Sequence, residues 1–197
     1  GFDMFWIIGG AAIFRAPAEI WDNPLTRTVQ LQLRHVKWEG FHFYDLIYPL
    51  FLFIIGVVLP FSLARRRQQG QSRYRLYLHT LIRSVMLILL GSVAGGLLRF
   101  THWPMMGGVL EHIGLCYFFA ALIVMHTGWR TQAAIVVGFL LLYWIACSVI
   151  AVPGSAAGVF TEQVNLASYI DSWFISDRLW NEGPTSALSG ICIILWG

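Results

Sequence analysis

The sequence predicts an all-α, polytopic bundle of transmembrane helices. Of its 197 residues, 57% are hydrophobic and only 12% are charged, which is about half the charged fraction of an ordinary soluble domain. The apolar stretches reach the ~20 residues that a membrane-spanning helix needs, and they lack the alternation of a β-barrel strand. We therefore expect the chain to lie in a lipid bilayer.

About six spans are predicted within one transmembrane domain that covers residues 1–197. Their bounds are about 3–14, 44–63, 77–100, 109–126, 132–152 and 186–197. The chain begins at Gly1 rather than Met and stops inside an apolar run. We therefore expect it to be a piece of a longer protein, with its first and last spans incomplete.

The arginines predict the orientation of the spans. Five of them fall in the loop 65–75 without an acidic residue, and such loops lie on the cytoplasmic side. Alternation then places the segments 15–43 and 152–185 outside the cytoplasm, in the plasma (inner) membrane if the protein is bacterial. Topology accounts for the net charge of +3, so no nucleic acid partner is predicted. The three cysteines lie inside spans and are expected to be inert, buried thiols.

One face of the second span combines an acid, two prolines and a glycine. Its members recur at helical spacing: Asp45, Pro49, Phe53, Gly56 and Pro60. A lipid-facing surface has no use for such residues, so this face is expected to point into the bundle. An acid near hydrocarbon costs ~2.5–3.5 kcal/mol, so it is functional by default. The alternative is that Asp45 only caps the first helical turn.

Two further groups of polar residues lie near the predicted outer surface. His35 precedes the second span, and it is either an ordinary interfacial histidine or a catalytic one. The pair Glu111–His112 lies near the outer end of the fourth span. We also considered a metal site built from His35, His42, His102, Glu111 and His112. These residues have no ligand spacing such as HExxH, so no metal is predicted.

A longer pattern connects His35 to the second span. At fixed spacing it comprises His35, Trp38, Gly40, Asp45, Pro49, Phe51, Phe53 and Gly56. It resembles the signature of heparan-alpha-glucosaminide N-acetyltransferase and its bacterial relatives, which are polytopic transmembrane acyltransferases. The opening "GFDMFWIIGG" is similar to the family's first helix, and "GVLEHIGLCYFFA" to its fourth-span motif. "YIDSWF" and "NEGPTSALSGI" are similar to a later loop and helix start.

The resemblance implies a transmembrane acetyltransferase, acting on N or O. Family members move acetyl from cytoplasmic acetyl-CoA to an amino sugar on the far side of the membrane, and the histidine matching His35 is their proposed active-site residue. Members often have Gln-Arg where this chain has Glu111-His112, and the animal enzyme has an Asn where Gly9, Gly10 and Ala11 lie here. The acceptor, an amino sugar or another glycan, and the acyl chain length therefore stay open.

The chemistry suggests a role for each candidate. His35 is expected to act as a general base or as a nucleophile, with Asp45 orienting its ring. Residues expected near the acceptor are Trp38, Glu39, Glu111, His112 and Asp171. Basic residues expected near the CoA phosphates are Arg65, Arg66 and Arg83. A place in the belt of aromatic residues at the membrane interface explains Trp38 equally well, and membrane topology by itself explains the arginines.

The rival class is a transporter or a non-catalytic membrane protein. In that class the bent, acidic second helix would line a permeation path. An inverted repeat or further mid-span acids would favour it, and the sequence contains neither. The partners expected for the acyltransferase are the bilayer, acetyl-CoA and a sugar or glycan acceptor, while assembly as a homodimer stays open.

Overall fold

The computed structural model describes residues 5–6, 10, 12–14, 16, 21, 23–36, 40–94, 108–153, 156, 158, 161, 165–172 and 184–197. Every regular element in these residues is helical, which confirms the all-α class. The chain divides into two compact units, Gly1–Leu52 and Phe53–Gly197. Half of the first predicted span, 3–14, lies outside the described residues.

The first unit contains a short helix that is not among the predicted spans, α1, Pro24–Gln32. It begins with a reciprocal cap: the Asn23 side chain accepts from the Thr26 amide at 2.9 Å, and the Thr26 hydroxyl accepts from the Asn23 amide at 3.2 Å. Pro24 occupies the first helical position, where its missing N–H costs nothing. The Asn-Pro-x-Thr sequence is therefore a helix-start signal.

The second helix, α2, covers Phe43–Gln68 and contains the predicted span 44–63. Its 26 residues extend about 39 Å at 1.5 Å per residue, more than the ~30 Å of a bilayer's hydrocarbon core. It starts with Asp45 in its first turn and ends in Arg65, Arg66 and Arg67. Acid at the N-terminus and base at the C-terminus both complement the helix dipole.

The remaining elements follow in chain order in the second unit. They are α3, Arg73–Ala94; α4, Val109–His126; α5, Trp129–Val149; α6, Leu166–Asp171; a 3-10 turn, Pro184–Ser186; and α7, Ala187–Trp196. Helix α4 packs between α3 and α7, and α7 also packs against α5. Helices α3 and α4 are antiparallel, since Gly91 lies against Glu111 near one end and Tyr77 contacts His126 at the other.

Four helices of the described residues, α2 to α5, are long and apolar enough to cross a membrane. The sixth predicted span, 186–197, corresponds to the shorter apolar helix α7. Large apolar side chains cover the outside of these helices, such as Leu140, Leu142 and Trp144 on α5. Such a surface is stable in lipid rather than in water. The chain is an integral membrane protein.

Two glycines allow close helix contacts. A Cβ at Gly91 of α3 would lie 2.7 Å from Cγ of Glu111 on α4, so this glycine packs as predicted. A Cβ at Gly56 of α2 would overlap the backbone carbonyl of Ile194 in α7. Gly95, the other half of the predicted glycine pair, lies outside the described residues.

The predicted inward face of α2 is only partly right. Gly56 is buried, but Phe53 and Pro60 are exposed. The buried positions of α2 instead include Leu52, Leu59 and Leu63. Branched leucines at helical spacing bury more apolar area than a stripe that contains two prolines. The three cysteines are free and buried, as expected.

Gly56→Ala is expected to lower the free energy of unfolding by about 1–3 kcal/mol, because the methyl group has no space beside the Ile194 carbonyl. The matched control is Gly138→Ala on α5, where no atom lies within 4 Å of the new Cβ. That change should be neutral or stabilise by up to ~1 kcal/mol. Thermal unfolding in detergent measures both, and equal midpoints for the two variants would contradict the close contact.

Candidate functional site

The structure brings His35 and Asp45 together. Nδ1 of His35 lies 2.7 Å from Oδ1 of Asp45, within the first unit. His35 is in the segment before α2, and its side chain is 65% exposed, against 27% for Asp45. The carboxylate is therefore sheltered, while the imidazole reaches solvent.

The second oxygen of Asp45 holds the start of α2. Oδ2 accepts the backbone N–H of His42 at 3.0 Å, and the carboxylate also accepts from the Val36 backbone. The first bond follows the capping-box pattern, in which a residue in the first turn satisfies the amide before the helix. Asp45 thus caps the helix and contacts His35 at once. Its functional role stays a prediction.

Two further hydrogen bonds close the segment between α1 and α2. Nδ1 of His42 lies 2.8 Å from the Arg34 carbonyl, so it donates a proton there. The Phe43 amide donates to Oε1 of Gln32 at 3.0 Å. The ring of Tyr44 meets that of His35 edge to face, with centroids 4.7 Å apart. The two hydrogen bonds fix the backbone on either side of His35, and the Tyr44 contact restricts the orientation of the His35 ring.

This geometry has a chemical consequence for His35. A carboxylate oxygen only accepts hydrogen bonds, so Nδ1 of His35 must carry a proton and donate it in the hydrogen bond to Asp45. The neutral ring then has its lone pair on Nε2, and Asp45 offsets the charge if Nε2 takes up a second proton. Trp38 and Glu39, both expected near an acceptor, lie outside the described residues.

Glu111 is buried and has partners for both carboxylate oxygens. Oε1 accepts from the Ser92 hydroxyl at 2.6 Å, and Oε2 accepts from the Gly108 amide at 3.0 Å. It therefore caps α4 and ties that helix to α3. Its predicted contact with an acceptor stays a prediction.

His112 and Asp171 both hold the turn before α7. Nε2 of His112 lies 3.2 Å from the Ser186 hydroxyl, and His112 is buried. Asp171 accepts from the Thr185 amide at 2.9 Å and from its hydroxyl at 2.7 Å. Burial raises the pKa of the Asp171 carboxyl, against the opposing effect of these two bonds. The stretches "GVLEHIG", "YID" and "PTSALSG" thus meet at one turn.

The arginines expected near a donor lie elsewhere in the second unit. Arg65 and Arg66 are in the last turn of α2. Arg83 of α3 lies with its guanidinium 4.8 Å from the ring centre of Tyr117 on α4. In the described part of the chain, no three His, Cys, Asp or Glu side chains are grouped as metal ligands.

Comparison with known proteins adds a relationship. The chain is 32% identical over 95 residues to human heparan-alpha-glucosaminide N-acetyltransferase, and 30% identical over 95 residues to the mouse protein. Each match covers 46% of this chain and 14% of the relative. Over the matched residues the chain is similar to this acetyltransferase, which supports a relationship to its family. The matched part is a small fraction of the relatives' length, and no family model matches the chain.

Several residues that build these sites are not among the predicted catalytic and binding residues. They are His42, Gln32 and Tyr44 near His35, and Ser186 and Thr185 near His112 and Asp171. A signal existed for His42, which precedes Asp45 by three residues, the spacing of a capping box. The others are brought in by contacts between segments, for which no sequence spacing gives a signal.

His42→Ala is expected to loosen the segment between α1 and α2, because it removes the bond to the Arg34 carbonyl. One hydrogen bond contributes ~0.5–1.5 kcal/mol, so exchange of the Val36 and His42 amides should accelerate about two- to tenfold. His42→Asn, whose side-chain amide can donate near the position of Nδ1, should stay close to wild type. Hydrogen exchange measured by mass spectrometry compares the two variants. Equal exchange rates in both would contradict a stabilising role for the hydrogen bond between His42 and the Arg34 carbonyl.

Proposed function

We propose that the chain is part of a membrane-embedded acyltransferase that moves an acetyl group from cytoplasmic acetyl-CoA to an amino sugar or other glycan outside the cytoplasm. The observation that carries the proposal is the 2.7 Å contact between His35 and Asp45, within the pattern that resembles the acetyltransferase signature. The acetyltransferase relatives support the reaction class.

The proposed step uses His35 as a general base. As the acceptor nitrogen attacks the thioester carbonyl, Nε2 takes the proton that the nitrogen loses. A C–N bond forms, the C–S bond breaks, and the CoA thiolate leaves. The imidazolium then returns the proton to the thiolate. Asp45 stabilises the imidazolium and keeps Nε2 directed at the acceptor.

The covalent route is the mechanistic alternative. Nε2 would attack the thioester itself and carry the acetyl group to the acceptor. We favour the general base because His35 is 65% exposed, and an acyl-imidazole open to water would hydrolyse.

The other candidate residues are proposed for binding. Trp38 and Glu39, next to His35 in sequence, are assigned to the acceptor, as are Glu111, His112 and Asp171. Arg65, Arg66 and Arg83 are assigned to the phosphates of the donor, because guanidinium groups bind phosphate with two parallel hydrogen bonds. No metal is required by this chemistry.

The position of the acids argues against a transporter. In helices α2 to α5 the only carboxylates are Asp45 and Glu111, and both lie in the first turn of their helix. A permeation path is expected to have ionisable groups nearer the middle of the membrane. Placement at a helix start suits chemistry at the membrane surface.

His35→Ala is expected to reduce transfer by about 10²–10⁴-fold, the usual contribution of a general base, with acetyl-CoA binding unchanged. His126→Ala, a histidine that contacts Tyr77 instead, is the matched control and should retain transfer. The assay uses the full-length protein in lipid nanodiscs, with acetyl-CoA and glucosamine both varied. Intersecting double-reciprocal lines are expected. Parallel lines with an acetyl group trapped on His35 would replace the general base by the covalent route.

The orientation is testable by labelling. In a background without the three native cysteines, Arg34→Cys and Ser172→Cys should react with an impermeant maleimide added to intact cells. Gln69→Cys, in the turn after α2, should react only after the cells are opened, because the arginine-rich loop is cytoplasmic. Reaction of Gln69→Cys alone would reverse the orientation and place His35 on the donor side.

A further inference from the structure

An open cavity of about 290 Å³ lies in the same unit as His35 and Asp45. This volume is near the lower end of the ~300–1,000 Å³ that ligand pockets occupy. Side chains from three segments line it: Trp6, Phe14, Thr28, Val29, Gln32, Leu33 and Phe43. The Trp6 ring packs against both Phe14 and Phe43, with centroids 5.4 and 5.5 Å apart. Aromatic rings thus form one wall and α1 forms the other.

The surface of the cavity is apolar even though two polar side chains line it. The Thr28 hydroxyl donates to the Pro24 carbonyl at 2.9 Å, and Oε1 of Gln32 accepts from the Phe43 amide at 3.0 Å. The Thr28 hydroxyl and the carbonyl oxygen of the Gln32 side chain are therefore engaged within the chain. A sugar placed here would have to give up hydrogen bonds to water, whereas a hydrocarbon would lose none.

Two residues that line the cavity are close in sequence to the His35–Asp45 pair. Leu33 in its lining precedes His35 by two residues, and Phe43 precedes Asp45 by two. The Gln32–Phe43 hydrogen bond fastens these two stretches together. Phe43 is also the first residue of α2, a helix long and apolar enough to span a membrane, so the cavity lies at the start of that helix. A ligand that reaches both features has a polar end at His35 and an apolar end in the cavity.

We propose that this cavity binds the hydrocarbon part of an amphiphilic acceptor, so that the acceptor is a lipid-linked sugar rather than a free one. The inference rests on the proposed function, which it deepens by naming the substrate class. The sugar amine or hydroxyl meets Nε2 of His35, and the attached chain lies between α1 and the wall formed by Trp6, Phe14 and Phe43.

The test compares methyl and octyl glucosaminide as acceptors for the full-length protein in phosphatidylcholine nanodiscs. Each methylene moved from water into an apolar site contributes about fourfold in affinity, so even partial burial should lower the KM of the octyl acceptor by tenfold or more. Val29→Phe, which fills the cavity from α1, should remove most of this advantage. Leu31→Phe is the control, since Leu31 is on the same helix but does not line the cavity.

A second measurement does not depend on activity. An octyl glucosaminide with a diazirine at the chain end should label Val29, Leu33 or Phe14 on irradiation, and unlabelled octyl acceptor should compete while methyl acceptor should not. Equal KM values for the two acceptors, an unchanged octyl advantage in Val29→Phe, or labelling confined to the lipid-facing side of α5 would each overturn the inference. Transfer to methyl glucosaminide without a chain-length effect would leave the proposed function standing. Transfer to neither acceptor would contradict both the further inference and the proposed function.

Discussion

Asp45 carries a negative charge into the first turn of a 26-residue apolar helix, and the architecture of the first unit follows from satisfying that charge. A carboxylate this close to hydrocarbon needs partners, because unpaired burial of a charge is costly. One oxygen takes the amide of His42, which also completes the helix start, and the other takes Nδ1 of His35. One side chain therefore both begins the membrane helix and orients the imidazole. The histidine is therefore held beside the first turn of this apolar helix.

The second unit applies the same principle at a buried position. Glu111 accepts hydrogen bonds from the Gly108 amide at the start of α4 and from the Ser92 hydroxyl of α3. Gly91 lets the two helices approach closely. At the far side of α4, His112 contacts Ser186, and Asp171 contacts Thr185. Glu111, His112 and Asp171 are thus each paired with a polar group of another segment, which offsets the cost of removing them from water. These pairs position α7, whose backbone meets α2 at Gly56.

The fold class could be read from composition because lipid leaves helices as the only solution for such long apolar runs. The pairing of Asp45 with His35 was also accessible, since an acid at that position demands a partner. The buried face of α2 could not be predicted from the sequence, because burial depends on which leucines meet neighbouring helices. Phe53 and Pro60, which were expected to be buried, are exposed. Helix α1 is not predicted from hydrophobic periodicity because its apolar residues are few, although Asn23 and Pro24 are typical of a helix start. Contacts such as His112 with Ser186, 74 residues apart, leave no spacing signal at all.

The central claim is that His35 and Asp45 act as one unit in acetyl transfer, and a double-mutant cycle on the full-length protein tests it most directly. Transfer rates are measured for His35→Ala, Asp45→Asn and the double variant in the same nanodiscs. Asp45→Asn conserves size, so the protein should stay folded while losing the counter-charge of the imidazolium. If Asp45 works through His35, the double variant should be no slower than His35→Ala alone. Losses that multiply, as for independent residues, would contradict the account and leave Asp45 as a residue that only begins a helix.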